Sequence, residues 1–200
     1  MAINLQKGQR ESINAPKFTV GLGWDTNSSA TGTDFDLDTS VFILGENKKL
    51  LSDNHFVFYN NLKSPNEAVV HTGDNRTGAG ARHEQTTPVQ RHTGAGDGDD
   101  EQILVDLSKI EPNAAEICIV VTIHEAAQRG QNFGQVRNSF IRIFDSVTNQ
   151  ELLKYELEED FSIETAVEFG RIYKRNGEWK FEAVGMGMKG GLEDYLNKYN

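Results

Sequence analysis

The chain has 200 residues, 37% of them hydrophobic and nineteen of them glycine, with a formal net charge of −10 at pH 7. That length suits one domain over 1–200 with a sizeable core. The acidity argues against a general nucleic-acid binder, which needs a basic face, and there is no run of about eighteen apolar residues to form a transmembrane segment. The opening MAINLQKGQRESINA lacks the continuous apolar stretch of a signal peptide. Cys118 is the single cysteine, with no partner for an internal disulfide, so a reducing cytoplasm is the expected setting.

Strand-like segments recur along the chain: FTVGLGW (18–24), DFDLDTSVFIL (34–44), HFVFY (55–59), QILVDL (102–107), EICIVVTI (116–123), SFIRIF (139–144), ELLKYEL (151–157), TAVEFGRIYKR (165–175) and EWKFEAV (178–184). Several alternate cleanly; in the last, Trp179, Phe181 and Ala183 interleave with Glu178, Lys180 and Glu182. Asn176-Gly177 tolerates positive φ and predicts a tight hairpin between the last two segments. EICIVVTI is almost wholly apolar and reads as a central strand covered on both faces. Helix signals are few: a short turn within 124–134 and a terminal helix over 191–199. Many short strands punctuated by Gly, Asn and Asp predict an all-β fold, a two-sheet β-sandwich with short peripheral helices, including a C-terminal one. Residues 79–95 have no periodicity and read as an exposed, mobile loop.

The acidity is concentrated. Asp25, Asp34, Asp36, Asp38, Asp74, Asp97, Asp99, Asp100 and Glu101 fall in four short clusters, and the rest of the chain is nearly neutral. In DFDLD the strand period turns Phe35 and Leu37 inward and sets three carboxylates on one outer face, where they repel unless a positive charge intervenes. Lys and Arg are scarce nearby, with Arg76 and Arg82 the local candidates. Each cluster follows or sits in a glycine-rich turn, and Asn75 adds a neutral oxygen beside Asp74. Hard cations such as Ca²⁺ take about six to eight oxygens, so the chain offers enough ligands for two ions. Asp and Gly also favour turns for purely local reasons, which is the plainer account of any one cluster.

Other motifs are excluded by spacing. An EF-hand begun at Asp34 meets Thr39 and Gly45 where Gly and Glu are required, and one begun at Asp97 meets Gln102 and Ser108. HEQ at 83–85 is not HExxH, five scattered His and one Cys give no zinc spacing, and GLGWDT breaks the dinucleotide fingerprint at Thr26. Trp24 reads as a core residue or as a brace for the metal loop, and Cys118 as an inert buried thiol. His71 and His124, near polar turns, have no nucleophile motif beside them to make an acid–base role. In QRGQNFGQVRNSF (128–140), Arg129 and Arg137 could pair with the acidic face or bind an anionic partner; equally, QNFGQ could simply pack a loop on the sandwich.

Taken together, GLGWD (21–25), FDLDTSVF (35–42), GDNRTG (73–78), GDGDDE (96–101), IHEAAQRGQNFGQVRNSFIRI (123–143) and FGRIYKRNGEWKFEAVGMGMKGGL (169–192) closely resemble the TerD family of bacterial tellurite-resistance and general stress proteins, in the family's order over nearly the whole chain. The resemblance implies a two-sheet β-sandwich, calcium at the acidic loops and a cytoplasmic stress-response role without established catalysis. The ligands it implies here are Asp25, Asp36, Asp38, Asp74 with Asn75, Asp99, Asp100 and Glu101, with Asp34 and Asp97 as further candidates. Typical members join GDNRTG to GDGDDE by a few residues, so most of 79–95 is an insertion. The expected function is calcium-dependent ordering of acidic loops, two ions per chain, gating contact with a partner such as another tellurite-resistance or stress protein. The alternatives are a metal-dependent hydrolase of phosphoesters or glycosides using the same carboxylates, and a scaffold whose calcium is structural.

Overall fold

A computed structural model describes residues 2–26, 35–73, 98–159 and 161–200. The strands are β1 (Ile3–Leu5), β2 (Arg10–Ser12), β3 (Lys17–Thr26), β4 (Leu37–Leu44), β5 (Phe56–Val57), β6 (Val69–His71), β7 (Glu101–Asp106), β8 (Glu116–Ile123), β9 (Val136–Asp145), β10 (Glu151–Glu156), β11 (Ala166–Arg175) and β12 (Glu178–Met188). Among the described residues two short helices, α1 (Ala126–Arg129) and α2 (Leu192–Tyr199), complete them, with 3₁₀ turns at Asp53–His55 and Phe133–Gln135. Among the described residues the strands form two six-stranded sheets, ordered β1-β10-β9-β3-β7-β6 and β2-β12-β11-β8-β4-β5. β1 runs parallel to β10, and the other named pairings are antiparallel.

The period-2 pattern builds the core directly. Phe18, Val20, Leu22 and Trp24 of β3, Ile103 and Val105 of β7, and Ile141 and Ile143 of β9 pack in one cluster with Leu37, Val41 and Ile43 of β4 and Ile117, Ile119, Val121 and Ile123 of β8. The opposite face of the second sheet is also covered. Phe42 and Leu44 of β4, Phe56 of β5, and Cys118 and Val120 of β8 pack against Tyr195 and Tyr199 of α2. Every residue of β8 is therefore buried, as its apolar run predicts. The β11–β12 hairpin turns through Asn176 and Gly177 at φ 53 and 82, both positive as a type I′ turn requires.

Three differences from expectation have local causes. β1, β2 and β6 have three residues each, too short to show an alternation. The segment 55–59 contributes only Phe56–Val57, because the preceding 3₁₀ turn ends at His55. The strand expected from Asp34 begins at Leu37. The apolar half of that alternation holds, with Phe35 and Leu37 buried. Its acidic half differs, since Asp38, on the same face of β4 as Phe42 and Leu44, is itself buried. Among the described residues no helix is long and apolar enough to cross a membrane.

Candidate metal centre

The acidic segment 98–101 sits where the two sheets meet at one end. Leu22 pairs with Glu101 and Gly21 with Gln102 as β7 joins β3. Just before that ladder the Asp100 N–H donates to the Leu22 carbonyl at 2.7 Å, and the Trp24 N–H donates to Asp100 Oδ2 at 2.9 Å. Three consecutive carboxylates then diverge. Asp99 lies over the outer face of the first sheet, where Arg142 Nε and Gln102 Nε2 donate to it at 2.7 and 2.9 Å. Asp100 stays against the β3 backbone. Glu101 shares the inward parity of Ile103 and Val105, and its Oε2 accepts the Thr39 N–H of β4 at 2.9 Å, tying one sheet to the other.

The β4 end supplies further oxygens. The Asp36 carbonyl accepts the His124 N–H at 2.8 Å, which anchors the entry to β4 on the end of β8. Asp38 Oδ2 lies 3.6 Å from His124 Nδ1. On β3, Asp25 Oδ2 accepts from Asn138 Nδ2 at 2.6 Å. Among the described residues, Asp36 Oδ1, Glu101 Oε1 and Thr39 Oγ1 are buried without a hydrogen-bond partner. A buried carboxylate oxygen without a donor costs free energy and calls for a water or a cation.

Burial pushes the Asp100 carboxyl up to about 6, aided by Asp25, Glu101 and Asp99 and opposed by the Trp24 N–H. His71 is buried beside Glu101, with Nε2 3.6 Å from Oε2, while its Nδ1 accepts the Gly73 N–H at 3.1 Å. That bond leaves the ring proton on Nε2, facing the carboxylate.

Six of the ten candidate ligands are thus placed. Asp25, Asp99, Asp100 and Glu101 are close enough to interact electrostatically, and Glu101 reaches the β4 segment that carries Asp36 and Asp38. Asp34, Asp74, Asn75 and Asp97, like the 79–95 loop and Arg76 and Arg82, lie outside the described residues. Among the described residues no group of three or more His, Cys, Asp and Glu is arranged to hold a metal. The donor set is nonetheless oxygen only, with two orphaned carboxylate oxygens, and that chemistry fits a hard cation.

Sequence reasoning missed Arg142, Thr39 and the Trp24 amide. The positive charge beside Asp99 comes from a strand 43 residues away. Its trace was the FIRIF alternation, a lone cation between Phe140 and Phe144 on the outward face. The Trp24 side chain is a core residue, and its backbone caps Asp100. Among the described residues, Arg129 pairs with Glu125 at 3.2 Å. Asn132 caps the turn that buries Phe133, so QNFGQ does pack a loop on the sandwich.

The TerD domain profile matches residues 1–199. General stress protein 16U of Bacillus subtilis (strain 168) is 48% identical over 204 residues, covering 100% of this chain and 97% of that protein. Tellurium resistance protein TerD of Serratia marcescens is 45% identical, with the same coverage. The crystal structure of a homologue of telluride resistance protein (TerD) from Streptomyces coelicolor A3(2) superposes with a TM-score of 0.67 at 18% identity, over 90% of this chain and 94% of that one, so the fold is shared.

Proposed function

The chain belongs to the TerD family of tellurium-resistance and stress-response proteins, and from that premise we propose that it is a non-catalytic, cytoplasmic calcium-binding protein. The observation that carries this is the pair of buried carboxylate oxygens without donors, Asp36 Oδ1 and Glu101 Oε1. Asp25, Asp36, Asp38, Asp100 and Glu101 would hold the ion. Through one oxygen each they provide five, short of the six to eight of a full shell, and the sequence offers Asp34, Asp74, Asn75 and Asp97 for the remainder and for a second ion.

Bound calcium would supply positive charge to Asp36, Asp100 and Glu101, which make no ion pair with Lys or Arg among the described residues. It would relieve the repulsion from Asp25, Glu101 and Asp99 that adds to the effect of burial on the Asp100 carboxyl, and order the acidic end into a defined surface. That surface is the natural place for contact with another stress protein. Titration calorimetry with Ca²⁺ tests the proposal together with melting in Ca²⁺, Mg²⁺ and chelator. Calcium should bind at about two per chain and raise the melting temperature well above the Mg²⁺ value, because Mg²⁺ demands octahedral geometry and dehydrates reluctantly. Asp36→Asn combined with Glu101→Gln should remove the shift. No heat of binding and an unchanged melt would overturn the proposal.

A further inference from the structure

Among the described residues, the shortest ion pair at the acidic end joins Arg142 to Asp99. Arg142 lies on β9 directly opposite Gly21 of β3. Its Nε donates to Asp99 Oδ1 at 2.7 Å and its Nη1 to Glu151 Oε2 at 3.2 Å. The guanidinium carbon sits 5.8 and 5.6 Å from the ring centroids of Phe140 and Phe144, so the head group is held by two carboxylates and two aromatic rings. The Asp99 side chain is only 2% exposed. It can lie there because residue 21 is glycine: a Cβ at Gly21 would overlap the Asp99 carboxylate.

We infer that Arg142 is a positioning residue for the cation site: by pinning Asp99 to the outer face of the first sheet it fixes the peptide from which Asp100 and Glu101 depart. The inference rests on the calcium reading above. Asp99 is the first of the three diverging carboxylates. Once it is pinned, Asp100 meets the β3 backbone through two hydrogen bonds and Glu101 enters between the sheets. Without Arg142, Asp99 would be a buried carboxylate with, among the described residues, Gln102 alone for a partner, beside the like-charged Asp100. It would swing to solvent and draw 98–100 with it. Arg142 would also keep Asp99 out of the ion's shell.

Charge alone predicts the opposite sign, which makes the inference testable. A fixed guanidinium near a cation site repels the cation, so its removal should tighten calcium binding if electrostatics were all. Positioning predicts a loss of about tenfold or more, the usual scale for partners that orient ligands. The experiment is calorimetry of the full chain with Ca²⁺ alone, at fixed ionic strength, for wild type, Arg142→Gln, Arg142→Lys and Asp99→Asn. Amide hydrogen exchange at Asp100 and Glu101 in chelator is read alongside, and remains informative if a variant is too weak to titrate.

The expected result is weaker binding in Arg142→Gln with unchanged stoichiometry and faster exchange at both amides. Arg142→Lys, which keeps the charge and loses the fork, should fall between. Equal or tighter binding in Arg142→Gln beside a binding wild type overturns the inference alone, as does a larger loss in Asp99→Asn together with a gain in Arg142→Gln, the pattern of a direct ligand. A wild type that binds no calcium overturns the calcium reading, and the inference falls with it.

Discussion

Replacing Asp100 by Asn should stabilise the calcium-free protein while removing its response to calcium. The carboxyl sits about two pH units above its ordinary 3.8, at about 6, which at about 1.36 kcal/mol per unit would be about 3 kcal/mol if fully buried. Solvent screening at this half-buried position reduces that to about 1 kcal/mol. The sign follows from linkage: a carboxyl raised in the folded state binds its proton more tightly there, so its ionisation costs stability. The cost is absent below about pH 4, develops between about 4 and 6, and is complete at 7. Asn removes the charge and keeps an oxygen to accept the Trp24 N–H, found at 2.9 Å in the wild type. In chelator at pH 7 the variant should therefore melt about 2–4 °C higher, for a chain of this length. The gap should close as the pH falls toward 4. In calcium the order should reverse, because only the wild type gains. A variant that melts at or below wild type in chelator at pH 7, or a gap that ignores pH, would refute the reasoning.

Three further outcomes follow from the packing. Gly21→Ala sets a methyl into the Asp99 carboxylate; it should lower stability by about 1–3 kcal/mol in urea unfolding and weaken calcium binding in the same direction as Arg142→Gln. Glu168 is fully buried on β11, where it accepts from Arg171 Nη2 at 2.6 Å and Tyr199 Oη at 3.3 Å and lies 3.5 Å from Lys198 Nζ. Glu168→Ala should cost about 3 kcal/mol, since it leaves the half-buried Arg171 guanidinium without its nearest partner, and should loosen α2 as seen by exchange at Tyr195 and Tyr199. Cys118 is buried and its thiol pushed up to about 12 by that burial; it should ignore an aromatic disulfide reagent in the native state and react on addition of denaturant.

The acidic clusters were legible as a set, because glycine-flanked carboxylates stand out in a chain that is otherwise nearly neutral. Their separate roles were not. Asp99, Asp100 and Glu101 are adjacent and chemically alike, and only the ladder register decides that one meets Arg142, one the β3 backbone and one Thr39 of the other sheet. Asp38 looked like a surface carboxylate because strand alternation says which face a side chain takes and nothing about what covers that face. Here that face also carries Phe42 and Leu44, on which α2 packs from more than 150 residues further along the chain, and Asp38 is buried on it beside His124.

What the amino-acid order determined by itself was everything carried by near neighbours. Period-2 alternation specified strands, Asn176-Gly177 specified the hairpin, and the unbroken apolar run of 116–123 specified a strand buried on both faces. These follow from backbone sterics and side-chain direction, which act over a few residues. Tertiary structure alone decided that Arg142 would supply the charge beside Asp99 and that Glu101 would join two sheets. It also decided that Asp36 and Glu101 would each keep a buried oxygen without a donor. Such pairings depend on which strands lie side by side once the chain has closed, and the cost of that closure is met by the core as a whole and not by the residues that happen to meet.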